Sequence, residues 1–387
     1  MKKILCLAIC IVMGVTLLVG CQAKTTEEEL NDLITNMGGL PQREETINLT
    51  MFVISGHNGN ANDSDAELTV QQNITPYIKN EYNVLLTIRY VSEQDYESRI
   101  DAAIQEGKTP NIVLINSEEM YDKYMENGKI AKLTSYLYSN DISLKKYSTM
   151  NKDIASVLWD AVAETASDGT KQYYAVPNDR IVGEYKYLLI DRQLAFDNNY
   201  SENAITSITS LEDANLADIC AAAGSGEIAN DSEGLVRVVN GDYALKAKLE
   251  EQGFLCNVIE KPQVTREYAF ESAYCIFNNG AKYNNAAMKI IYALNTDAHF
   301  RNLLQYGVEG IHYTFDGDVV KFKNGAGDVP YYMNPLYTGD ASLLYYCNDT
   351  DRDIIWNSEL KNEVMKNQND DAELVVPSAG VAVVGAE

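Results

Sequence analysis

The chain has 387 residues, with 56 Asp and Glu against 31 Lys and Arg and a formal net charge of −25. At about 150 residues per domain this makes two to three domains, and so acidic a balance excludes electrostatic binding to nucleic acid or to anionic lipid. The three histidines, His57, His299 and His312, are too widely spaced for a metal or hydrolase signature, and no GxSxG, HExxH, Walker loop or GxGxxG occurs. Common hydrolase and nucleotide chemistry therefore has no support, and no cofactor or metal is expected.

Lys2 and Lys3 precede an uncharged apolar run, Ile4 to Val19, which has the form of a secretory signal and is short for the roughly 20 residues of a membrane span. Leu18-Val19-Gly20-Cys21 is similar to a lipobox, in which the Cys21 thiol is acylated and becomes the mature N-terminus. Residues 1–20 are thus expected to be a lipoprotein signal. The polar, acidic residues 21–46 read as a flexible stalk, and the protein as anchored by lipid on the extracytoplasmic face of the cell membrane.

Ile47 to Ser55 alternates as a strand and runs into Gly56-His57-Asn58-Gly59-Asn60. A helix at Leu68 to Tyr82, kinked by Pro76, follows. Then come a strand at Val84 to Val91, a helix at Gln94 to Gln105, a strand at Asn111 to Ile115 and a helix at Ser117 to Glu126. Strands alternating with helices predict parallel βαβ units, and ligands of such sheets sit beyond the carboxyl ends of the strands. That rule places His57, Asn58, Asn60 and Asn116 at the mouth of a first lobe. Asn58, Asn60, Asn62 and Asp65 lack the loop glycine and terminal Glu of a calcium loop.

A helix at Ile154 to Ala166 carries Trp159, and Gln172-Tyr-Tyr-Ala-Val-Pro-Asn-Asp-Arg180 follows. Pro177 fixes its own φ and holds Val176 extended, which suits a stiff strand. Glu184 to Asp191 reads as another strand. Signals weaken from Asn203 to Phe270, where helices at Leu211 to Ala223 and Tyr243 to Gln252 flank a Gly/Ser/Asn-rich break. A strand at Ala273 to Asn279 and a helix at Asn285 to Leu294 lead to Asn295–Asp318. There Asp297 is an N-cap, Phe300, Leu303, Leu304 and Tyr306 have helical spacing, and Gly307 and Gly310 turn the chain into Ile311, Tyr313, Phe315. A tyrosine-rich segment, a helix at Asp353 to Lys366 and an apolar end complete the chain.

The wording Tyr306-Gly-Val-Glu-Gly-Ile-His-Tyr313 resembles extracellular solute-binding lipoproteins of sugar-importing ABC systems, in the oligosaccharide-binding, family 1-like branch. The resemblance extends loosely from about Thr46 to about Tyr346. It implies an α/β, two-lobed periplasmic-binding-protein-like (type II) fold with a hinge between lobes. Residues 47–178 and 277–325 would form the N-lobe, and 179–276 and 326–387 the C-lobe. In that family a tyr-ala-val-pro strand is where the chain first crosses between lobes. Relatives continue with further helices, so the second lobe is expected to be incomplete at Glu387.

The function the resemblance implies is capture of a carbohydrate, in that branch an oligosaccharide, in the interlobe cleft and delivery to the permease subunits, with the protein monomeric and catalysing nothing. The alternatives are a binding lipoprotein for a peptide or other polar nutrient, a lipid-anchored glycan-degrading enzyme, and a decayed paralogue. A sugar ring needs flat aromatics for its C–H face and Asn, Asp, Glu or Arg for its hydroxyls. On that ground Trp159, Asn178, Asp179, Arg180, Glu184, Tyr185, Tyr187, Tyr274, Tyr332 and Tyr337 join the candidates. His299 is expected to be solvated and His312 structural. Cys220, Cys256, Cys275 and Cys347 are compatible with two bridges or with buried thiols.

Overall fold

The computed structural model describes residues 45–56, 63–139, 141–222, 235–323, 330–347 and 361–375, all within one unit that begins at Thr46 apart from Glu45. The signal, Cys21, most of the stalk, the Gly224–Gly234 break and most of the apolar end lie outside the described residues, as do His57, Asn58 and Asn60. No described helix is long and apolar enough to cross a membrane.

In chain order the two principal sheets use β1 (Ile47–Ile54), β2 (Val84–Val91), β3 (Ile112–Ile115), β4 (Ala175–Pro177), β5 (Tyr185–Asp191), β6 (Val236–Gly241), β7 (Phe254–Glu260) and β8 (Ala273–Ile276). The first sheet has the order β2-β1-β3-β8-β4. It is parallel from β2 to β3 and antiparallel at β8, whose Cys275 lies opposite Val113 on one side and Ala175 on the other. β3 is buried at all four positions because helices cover both faces of this sheet, which is why it reads as an unbroken apolar run.

The second sheet, β6-β5-β7, is antiparallel throughout. Leu188 and Ile190 of β5 face one cluster with Ile205, Ile208, Leu216 and Ile219, whereas Tyr185, Tyr187 and Leu189 face another with Leu249 and Cys256. This is the period of two that a strand with both faces packed must show. The chain passes from the first lobe to the second after β4 and returns before β8. The molecule is a two-lobed α/β protein.

Several sequence-level elements shift. The helix expected at Leu68 to Tyr82 begins at Asp63 and runs through Pro76. The one expected at Ile154 to Ala166 is confined to Ser156–Ala161, and Glu164–Thr165 already pairs with Lys171–Gln172. Strands β6 and β7 were not anticipated. Tyr331 and Met333, placed with the C-lobe by the sequence, are buried in the core of the first sheet.

The stretch Asn295–Asp318 folds as its local signals demand. The helix Ala298–Tyr306 is capped by Asp297, whose Oδ1 accepts from the Phe300 N–H (3.1 Å) and whose Oδ2 accepts from the hydroxyls of Tyr77 (2.8 Å) and Tyr82 (2.7 Å). Gly307 ends it at φ 78°, where a Cβ would come within 2.4 Å of His312 Nδ1. His312 is buried and Nδ1 accepts from the Val308 N–H (2.8 Å), a structural role. Glu309 and His299 are exposed.

Three polar residues of this helix do not face water. Arg301, Asn302 and Gln305 are buried against residues 333–345. The Arg301 guanidinium donates to the carbonyls of Asp340 (2.9 Å), Pro335 (2.8 Å) and Gly339 (3.3 Å) and to Gln305 Oε1 (3.1 Å). Asn302 donates to the Leu343 carbonyl (2.7 Å) and accepts from the Tyr345 N–H (2.8 Å). Removing one partner from a buried charged network costs about 3–5 kcal/mol. Arg301→Met is therefore expected to lower unfolding free energy by about that amount. A urea midpoint unchanged from wild type would contradict this role.

Candidate functional site

The carboxyl ends of β1 and β3 and the crossover after β4 meet in one region. Gly56, just past β1, sits so close to the 332–333 backbone that a Cβ would lie 1.8 Å from the Tyr332 carbonyl oxygen. Asn116, just past β3, is half-buried. Beside them the crossover strand leaves β4 with Asn178 and Arg180 on one side and Asp179 on the other, as an extended chain alternates.

Asn178 Nδ2 donates to Ser272 Oγ (2.9 Å) and to the Leu336 carbonyl (3.0 Å), while its Oδ1 is buried with no partner. Arg180 Nη2 donates to the Tyr268 carbonyl (2.5 Å), with Glu271 Oε2 at 3.5 Å and the guanidinium 4.2 Å from the Tyr268 ring centroid. Its Nη1 is likewise buried and unpartnered. Burial raises the Tyr337 hydroxyl above the ordinary phenol range, the carboxylates of Glu93 and Glu271 add to that, and Arg180 opposes it. The Tyr274 hydroxyl donates to the Tyr337 carbonyl.

The structure thus brings together Asn178, Arg180, Tyr274 and Tyr337 of the residues singled out by sequence. It adds Glu93, Tyr268, Glu271 and Ser272, which sequence reading passed over. Three of these lie just before β8, the second crossover strand, so the reasoning that selected Asn178–Arg180 after β4 would have reached them.

The other candidates are elsewhere. Trp159 is buried in the first core with Nε1 donating to the Met150 carbonyl (3.2 Å), packed edge-on against Tyr173. Tyr185 and Tyr187 stack on each other within the second lobe, their hydroxyls donating to Asp371 Oδ2 (2.8 Å) and the Asp242 carbonyl (3.0 Å). With ring and hydroxyl both engaged, these three serve packing in this structure. Tyr332 packs edge-on against Phe322, and Glu184 is exposed.

Asp179 is buried on the far side of the strand, where Oδ1 accepts from the Ala155 N–H (2.9 Å). Burial, and then the charge of Asp340, push its carboxyl well above the usual range, against the pull of the Ala155 and Arg180 N–H groups and the Arg180 charge. Burial raises the Asp340 carboxyl as well, against its bonds from Ser342 and the charges of Arg301 and Lys361, so the two carboxyls compete for a proton. Cys220, Cys256 and Cys275 are buried and unbridged, and burial raises the Cys256 thiol to about 12.

No protein-family model matches the chain, and no curated protein matches it. Among solved structures the chain is similar to the N-glycan transport solute-binding protein of Streptococcus pneumoniae. Against its complex with Man5GlcNAc the TM-score is 0.50 at 15% identity, covering 84% of this chain and 82% of that one. Against its complex with Man1GlcNAc the TM-score is 0.50 at 14% identity, covering 87% of each.

A group whose native pKa lies above its unfolded value contributes stability below the unfolded pKa, and that contribution is lost as pH rises through the native value. Asp179→Asn keeps an acceptor for the Ala155 N–H and removes the titration. It is expected to raise the melting temperature at pH 7 and to flatten its decline above about pH 4. Melting curves from pH 4 to 8 that superimpose on wild type in shape and height would refute this assignment.

Proposed function

We propose that this chain is the substrate-capturing component of an ABC importer, an exported protein lipid-anchored through Cys21, which holds a saccharide between its lobes and presents it to the permease. The observation that carries the reading is the pair of unpartnered buried atoms, Arg180 Nη1 and Asn178 Oδ1, on the strand that joins the lobes. Each such group costs about 1–3 kcal/mol when left unmade, and a ligand offering both an acceptor and a donor recovers that cost. Sugar hydroxyls offer both. Tyr268 and Tyr337 provide rings and Glu93 and Glu271 provide acceptors nearby, the mixture a polyhydroxylated ring requires.

The two-lobed fold shared with the pneumococcal N-glycan transport protein supports this reading, as do the secretory run and the lipobox-like Leu18–Cys21. His57, Asn58, Asn60 and Asn116 are proposed to complete the site from the ends of β1 and β3. Contacts in both lobes stabilise a closed form, and that form is what a permease would recognise. The work is differential binding and involves no bond making.

The mature chain titrated calorimetrically with Man5GlcNAc and a panel of mannose, xylose and glucose oligosaccharides is expected to bind at least one without releasing reducing sugar. Arg180→Ala should weaken that binding by roughly 10- to 100-fold. Reducing-sugar release abolished by a single Glu or Asp change would make the protein an enzyme. Heat on peptides with none on any saccharide would make it a peptide carrier.

A further inference from the structure

Residues 313–346 place aromatic rings at the surface in a way the interlobe reading does not use. Tyr306, Tyr313, Phe315 and Tyr345 form a continuous edge-to-face series with centroids 6.1, 5.4 and 5.3 Å apart. The inner end is buried, but Phe315 is 37% exposed on the strand Tyr313–Asp316.

Two grooves flank the outer pair, Phe315 and Tyr345. One of about 430 Å³ is bounded by both rings with Tyr346, Asp318, Ser342 and Asn362. The other, about 240 Å³, is bounded by both rings with Tyr313, Asn73, His299 and Glu309. Neither shares a residue with the crossover array. The larger groove lies within the roughly 300–1,000 Å³ of small-ligand sites and the smaller falls just below it, and two adjoining grooves of unequal size suit successive units of one chain.

The lining identifies the class of ligand. Rings supply flat apolar contact, and each groove pairs an acidic acceptor with groups able to donate: Asp318 with Ser342 and Asn362, and Glu309 with Asn73 and His299. A hydroxyl both donates and accepts, so an uncharged polyol satisfies such a rim. A cation would gain from the carboxylates but would meet Lys361, which lines the larger groove and whose buried Nζ donates to the carbonyls of Ala341 (2.9 Å) and Leu344 (2.7 Å). A phosphate or carboxylate would meet Asp318 or Glu309.

We infer that the Phe315–Tyr345 ridge is a second saccharide-binding surface, outside the interlobe site, over which a glycan chain lies with one unit in each groove. The inference does not rest on the interlobe reading, because none of its residues belong to that site. A glycan held there would present its remaining units at high effective concentration to the rest of the molecule.

The test is native electrophoresis of the mature chain through gels containing yeast mannan, xylan or soluble starch. Wild type is expected to be retarded by at least one of them. Phe315→Leu, which keeps an apolar side chain and removes the ring, is expected to weaken retardation roughly three- to tenfold, and Asn362→Ala to weaken it as well. Arg180→Ala should leave it in place. Retardation that survives Phe315→Leu and Asn362→Ala but is lost in Arg180→Ala would assign glycan binding to the interlobe site alone and overturn the inference. So would the absence of retardation in all three gels.

Discussion

One buried cation anchors the segment against which both crossover strands rest. A guanidinium taken out of water costs several kcal/mol unless its donors are matched, and Arg301 finds its matches mostly in main-chain carbonyls of residues 335–340. Those carbonyls must converge on one point, so the segment has to curl. Gly339 permits it at φ 107°, where a Cβ would lie 2.3 Å from the Leu294 carbonyl oxygen. Burial draws Arg301 down only to about 10, so the charge persists at neutral pH. The far side of the curled segment presents the Leu336 and Tyr337 carbonyls to Asn178, Ser272 and Tyr274. A helix remote from the crossovers thereby fixes where both begin.

What the sequence disclosed were features decided within a few residues. Asp297 and Gly307 bound the helix Ala298–Tyr306 because capping and a left-handed stop are local events. The βαβ pattern of the first lobe is legible because β3 is an unbroken apolar run, β1 and β2 are mostly apolar with polar residues at exposed or half-buried positions, and the helices between them are periodic. β6 and β7 were not legible, since Val-Arg-Val-Val-Asn-Gly and Phe-Leu-Cys-Asn-Val-Ile-Glu are strands only by virtue of flanking β5. The burial of Arg301, Asn302 and Gln305 was likewise hidden, because the carbonyls that accept their protons lie some thirty to forty positions away. Tyrosine misled for a related reason. With 26 of them the chain uses tyrosine as core material, and Tyr185 and Tyr187 each end on a protein acceptor within the second lobe.

The crossover strand divides its chemistry between its two sides. Asp179 faces inward, where burial and the charge of Asp340 push its carboxyl toward the neutral form. Asn178 and Arg180 face the other way with polar capacity unused. Their main-chain neighbours are fully engaged: Asn369 bonds the Arg180 carbonyl (2.7 Å) and the Val182 N–H (3.0 Å), and Gln368 bonds the carbonyls of Val182 and Gly183. The backbone is held while two buried side-chain atoms are left unsatisfied.

Those bonds come from the helix Lys361–Asp371, and their reach along the chain has a consequence for assembly. Asn369 is 189 positions from Arg180, and Val375 donates to Val264 across more than a hundred. Contacts this distant form late, because the loop between them must close first. Each lobe can collapse on its own strands while the chain is being made, but the connection between them cannot tighten until residues 361–375 have been added. The two halves of the molecule are therefore expected to exist, briefly and on every synthesis, as folded bodies on a loose tether.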